Sequence, residues 1–206
     1  MKKRIYLNFK KIILAIFICS FLYSCTVTTK DISPDDTLHY NEGYDFSDKN
    51  TIVKKIVSSL LTKPPLVVAE DRPVIIVYGV ANRTDEHIST SNITDDIRTE
   101  LMGSGRVRFI SETQRENIAS ETGYQYGGAV SPETKIQKAQ QIGAQYILTG
   151  TLRSMEKKQE RQARLTKRVL KYYSLTMELT DITTGLISWT DNVEIVREAS
   201  KPFIGW

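Results

Sequence analysis

Cysteine is nearly absent from this chain. Only Cys19 and Cys25 occur, and both lie near the amino terminus. Beyond Cys25, neither a disulfide nor a thiolate metal site can form. Histidine is as scarce. His39 and His87 stand far apart with no cysteine beside them, which is not a metal-ligand spacing. A Ser-His-Asp site is poorly served, because His87 alone falls in the part expected to fold and no nucleophile-elbow sequence accompanies it. Ser154-Met155-Glu156-Lys157 matches a Ser-x-x-Lys pattern, but it continues a strand, where residues three apart point to opposite faces. Gly123 to Gly128 is glycine-rich but lacks the strand-to-helix context of a phosphate loop. No catalytic constellation, metal or cofactor is expected. Long hydrophobic runs are missing too. The longest, residues 12–22, is shorter than the about 20 residues a spanning helix needs.

What is present begins at the amino terminus. Lys2, Lys3, Arg4, Lys10 and Lys11 precede the apolar run, and Leu22-Tyr23-Ser24-Cys25 closes it. A basic head, a short apolar stretch and a small residue at the cut read as an export signal, residues 1–24. The closing tetrapeptide resembles the lipobox of bacterial lipoproteins. That resemblance implies a diacylglyceryl group on the Cys25 sulfur, cleavage before Cys25 and acylation of the new amino terminus. One acyl chain anchors a protein only marginally; two or three hold it firmly.

Charge depends on this processing. The chain has 28 Lys and Arg against 24 Asp and Glu, and the signal removes five cations and no anions, leaving 23 against 24. A near-neutral remainder offers no general attraction for nucleic acid or anionic lipid. Residues 26–45, rich in Thr, Asp, Ser and Tyr and without an apolar period, read as a flexible tether. Twenty such residues reach at most about 70 Å and average roughly 25 Å as a coil.

Residues 46–206 are enough for one globular domain. Ile52, Ile56, Val57, Leu60 and Leu61 predict a first helix, capped by Ser47 or Asn50 and stopped by Pro64-Pro65. The β-branched run from Val74 to Tyr78 predicts a strand buried on both faces, followed by a polar loop over residues 82–87. Ile93, Ile97 and Leu101 predict a second helix, and residues 107–110 a second strand. Ser111 to Gln114 reads as a capping box opening a third helix to about Thr122, with a loop over 123–129. Pro132 opens a fourth helix, ended by Gly143. A third strand starts at Tyr146. From Arg168 to Asp181 the chain alternates: Lys171, Tyr173, Leu175, Met177 and Leu179 share one face of a half-buried antiparallel strand. A tight turn at residues 181–185 returns it as a last strand over 186–196. The fold class is α/β: a mixed sheet of about five strands with flanking helices and a carboxyl-terminal β-meander.

One patch stands out. Arg153, Lys157, Lys158, Arg161, Arg164, Lys167, Arg168 and Lys171 face only Glu156 and Glu160, a local balance of +6. It reads either as the solvated tip of a hairpin, where charge blunts edge pairing, or as a docking site for an acidic surface. On the docking reading, Arg153, Lys157, Arg161, Arg164, Arg168 and Lys171 bind a partner. Reversing Arg153 and Lys171 together is then expected to weaken binding and spare the fold.

Several segments together resemble the LpoB family of lipoprotein activators of bifunctional class A penicillin-binding proteins. They are the lipobox, Asn82-Arg83-Thr84 after a strand, Ile142-Gly143-Ala144-Gln145-Tyr146-Ile147-Leu148-Thr149-Gly150, the turn Asp181-x-x-Thr184-Gly185-x-x-x-Trp189, and the closing Lys201-Pro202-Phe203-Ile204-Gly205-Trp206. The turn alone is also similar to CsgG and to the amino-terminal domain of TolB. The resemblance implies a non-enzymatic, monomeric lipoprotein of the outer membrane. It would face the periplasm and bind a non-catalytic domain of a peptidoglycan synthase, with no nucleic-acid partner. Thr26 after Cys25 is compatible with outer-membrane sorting. The tether is shorter and poorer in proline than the family's enteric members carry. Asn82, Arg83 and Trp206 are secondary contact candidates; Gly185 and Trp189 read as turn and core residues. A CsgG-like envelope secretion or assembly lipoprotein is the alternative, although the basic hairpin is too charged to face lipid.

Overall fold

In a computed structural model, residues 29–111, 113–131, 143–159 and 166–202 are described. Residues 34–206 form one compact unit by their contacts. Helix α1 (Phe46–Thr62) buries Ile52, Val53, Ile56, Val57 and Leu60, the stripe expected from its period. Its cap is Asp45, upstream of both residues predicted. The Asp45 carboxylate accepts from the Ser47 and Asp48 amides, and the Asp48 side chain accepts from the Asp45 amide, a reciprocal box. Helix α2 (Thr90–Gly103) buries Ile93, Thr94, Ile97 and Leu101. Helix α3 (Arg115–Tyr124) buries no residue, and its N-cap, Gln114, makes no side-chain cap bond; the expected capping box does not start it. Residues 125–129, predicted as loop, continue it as a π-turn. The predicted fourth helix lies largely outside the described residues.

Five strands form one sheet: β1 (Val74–Arg83), β2 (Arg108–Phe109), β3 (Tyr146–Gln159), β4 (Thr166–Asp181) and β5 (Ile187–Pro202), in the order β2-β1-β3-β4-β5. β1 runs parallel to β2 and β3, whereas β3, β4 and β5 form an antiparallel meander. The mixed α/β class is as expected. The strands are longer than their apolar stretches: β1 takes in Asn82 and Arg83 from the predicted loop, and β5 runs beyond Val196. Backbone pairing continues along the meander after apolar residues give way to charged ones.

Helices α1 and α2 pack on one face of the sheet, α1 against β5 and α2 against β1. That face is filled by Leu148, Leu152, Tyr173, Leu175, Met177, Leu179, Trp189 and Val193. Gly150 lets β3 approach closely here, since a Cβ would run into Met177, Val80 and the Thr176 carbonyl. In β1 the register slips between Val77 and Gly79, leaving Tyr78 as an extra, exposed residue; Gly79 takes the positive φ of 92° at this bulge. At the β4–β5 turn Gly185 has φ of 71°, and Asp181 accepts from the Thr183 and Thr184 amides.

Residues 34–44 do not hang free. The Asn50 amide donates to the Pro34 carbonyl, Ser47 donates to the Asp36 carbonyl, and Lys54 pairs with Asp35. Arg197 on β5 donates to the Gly43 carbonyl at 2.7 Å and to Asp48 at 2.5 Å. The stretch predicted as tether up to residue 45 is therefore docked from residue 34 onward.

Candidate docking face

Side chains alternate across the meander, so the register decides which residues meet. On the face turned away from α1 and α2, Arg153, Met155 and Lys157 of β3 lie in line. Beside them run Ser174, Tyr172 and Leu170 of β4, then Glu194, Val196 and Glu198 of β5. The central row, Met155–Tyr172–Val196, is apolar, with Leu170 next to it. Met155 is 64% exposed, Val196 59% and Leu170 41%. These residues were missed from sequence. They come from three separate strands, and only strand pairing joins them.

The predicted cations fall into distinct environments. Arg153 and Lys157 are exposed on this face and make no ion pair among the described residues. Arg83 is in register with Arg153 and equally exposed, extending the positive strip onto β1. Arg168 pairs with Glu198 at 3.4 Å, and Lys158 with Glu156 at 2.5 Å. Arg161, Arg164, Trp206 and the expected lipidation residue Cys25 lie outside the described residues.

Lys171 corrects the sequence reading. Its side chain is 5% exposed, and its ammonium sits 2.8 Å from Glu86, 3.0 Å from Asp85 and 3.5 Å from Glu156. Burial alone would push its pKa down, but the bonds to Glu86 and Asp85 outweigh that and hold it above the ordinary lysine value. Lys171 is an interior tie between the β3–β4 hairpin and the loop after β1, not a free docking charge. Reversing it would break that tie, so the expected neutrality of the Arg153 and Lys171 reversal toward folding does not hold.

The same loop explains Asn82. Its carbonyl accepts from the Thr84 amide and hydroxyl, while its amide donates to the Glu86 and Ile88 carbonyls at 3.0 and 3.1 Å. Asn82 thus folds the loop that presents Asp85 and Glu86 to Lys171. Ser154 bonds Asp85, and the Tyr173 hydroxyl donates to Glu86 at 2.6 Å. Hydrogen bonds from Ser154 and then Lys171 hold the Asp85 carboxyl below its ordinary pKa.

One group could suggest a metal. His39, Asp45 and Asp48 bring ligand atoms within 4.8 Å of one another. The cation among them is Arg197, 2.5 Å from Asp48 and 3.5 Å from Asp45. The cluster is a closed ion-pair network.

The face carries an apolar row and a cationic strip along β1 and β3, with a braced hairpin beneath. A family model described as "Peptidoglycan-synthase activator LpoB" matches residues 48–195. The penicillin-binding protein activator LpoB of Edwardsiella piscicida is 28% identical over 98 residues, 47% of this chain and 48% of that one. The chain thus spans about half the length of the curated relative it matches. The solved LpoB C-terminal domain from Escherichia coli is 22% identical, with 72% of this chain and 98% of that one covered and a TM-score of 0.45. The one from Salmonella enterica has the same identity and coverage, with a TM-score of 0.44. With its family model matched over most of the folded unit, the chain belongs to the LpoB family of peptidoglycan-synthase activators.

Proposed function

We propose that this chain is a lipoprotein of the outer membrane that binds a class A penicillin-binding protein and stimulates its synthesis of peptidoglycan. It performs no catalysis of its own. The observation that carries this reading is the family match over residues 48–195. The accessible cations Arg83, Arg153 and Lys157 support it, because they suit docking to an acidic protein surface. The non-catalytic part of the synthase is the contact we favour.

Lipid on Cys25 anchors the chain. With docking from Pro34 onward, only residues 26–33 remain as tether, and eight residues extend to at most about 29 Å. Two measurements test the reading. Cys25→Ser should abolish incorporation of labelled palmitate; undiminished label would refute the anchor. The full-length protein should retain a purified class A penicillin-binding protein of the same organism on a column; failure with every such synthase would refute the partner.

A further inference from the structure

Resting on that reading, we infer that the face of β3, β4 and β5 turned away from α1 and α2 is the synthase-docking surface, with the row Met155–Tyr172–Val196 and adjacent Leu170 at its centre. The opposite face supplies the core contacts to α1 and α2. The exposed row is therefore not needed to hold the helices. Met155, Leu170 and Val196 are exposed together in adjoining positions, whereas scattered apolar residues on a surface need no explanation.

The charges identify the partner's chemistry. Arg153 and Lys157 flank Met155 on β3, and Glu194 and Glu198 flank Val196 on β5. The β5 carboxylates are engaged within the chain: Glu194 accepts from the Tyr172 hydroxyl at 2.6 Å and from Asn192 at 2.9 Å, and Glu198 pairs with Arg168. Arg83, Arg153 and Lys157 have no such engagement among the described residues. Among the described residues, the face thus offers an apolar centre and unpaired positive charge along its β1 and β3 side. Its occupant is a protein surface with apolar side chains at its centre and carboxylates along the edge that meets β3, carried by the synthase. A central apolar cluster with a charged rim is the usual anatomy of a recognition site, in which the centre sets affinity and the rim the encounter rate.

A second copy of this chain is the competing occupant. A two-fold axis along β4 would lay the β3 cations of one copy over the β5 carboxylates of the other. The engagement of Glu194 and Glu198 within their own chain argues against it.

The test uses full-length protein in detergent and one purified class A penicillin-binding protein that the wild type binds. Met155→Glu should weaken binding at least about tenfold, the scale of losing a central contact. Leu170→Ser, a milder change, should weaken it in the same direction. Ile182→Glu, at an exposed position beyond the face on the β4–β5 turn, should leave it unchanged. Arg153→Glu should slow association, with wild-type binding falling as salt rises. The melting temperatures of all four variants should match the wild type. If both Met155→Glu and Leu170→Ser bind like wild type, the face is not the docking surface, although the synthase reading stands. If sedimentation shows a wild-type dimer that Met155→Glu dissociates, the occupant is a second copy and the inference is overturned. If the wild type binds no class A synthase, the functional reading fails and the inference with it.

Discussion

Lys171→Met should destabilise the folded chain by about 2 kcal/mol, while Arg153→Met costs less than about 0.5 kcal/mol. Removing one partner of a fully buried pair costs about 3–5 kcal/mol. The figure here is lower because Asp85 and Glu86 are partly open to water, with side chains 59% and 30% exposed. For a domain of this size the loss is a fall in melting temperature of about 4–8 °C. The pH dependence separates electrostatics from packing. The raised pKa of Lys171 means its contribution is complete below the ordinary lysine value and is lost only as pH rises through the folded value. Asp85 and Glu156, held low by Ser154 and Lys158 first and by Lys171 as well, contribute above ordinary carboxylate values and lose that contribution as pH falls. Melting curves should show wild type and variant furthest apart between about pH 5 and pH 10, converging in acid. A gap independent of pH would assign the effect to packing alone.

Arg197→Met should cost more, about 3–4 kcal/mol, because it strands a buried carboxylate. Asp48 is 3% exposed, and Arg197 is the cation beside it. The variant also removes the donor to the Gly43 carbonyl, so residues 34–44 should become sensitive to protease. The Asp48 carboxyl already lies above its ordinary pKa: burial raises it, and the Asp45 amide and Arg197 offset that only in part. Without Arg197 it rises further. A carboxyl with a raised folded pKa favours the folded state more as pH falls, so the variant should regain stability on acidification. Adding Asp48→Asn removes the stranded charge and should recover about 1–2 kcal/mol, which urea denaturation of the four-member cycle measures. Strict additivity would show that the two residues do not act as a pair.

The alternating segment of β4 was legible because its face is half-buried, and the same pattern put Lys171 on one face with Tyr173 and Leu175, although the sequence reading took its charge for a docking contact. Two of its carboxylate partners, Asp85 and Glu86, come from a loop far away in the chain, 86 positions for Asp85, where no local pattern could announce them. The outer arms of the meander were under-read because both their faces carry charge, which resembles a loop tip in sequence and a strand only once its neighbours are paired. The helix stripes were clear, but the start of α1 was placed late, since Asp45 looked like part of a polar tether. The docking row is the extreme case. Met155, Tyr172 and Val196 share no sequence neighbourhood, whereas the basic run that drew attention is partly neutralised by its own carboxylates.

Glycan polymerisation tests activation of a synthase by this chain most directly. A purified class A penicillin-binding protein should polymerise labelled lipid-linked precursor faster with the full-length chain than alone. The chain without the synthase should produce no polymer. Met155→Glu should fail to stimulate at concentrations where wild type does. An unchanged rate with saturating wild-type protein, or polymer made by the chain alone, would contradict the account.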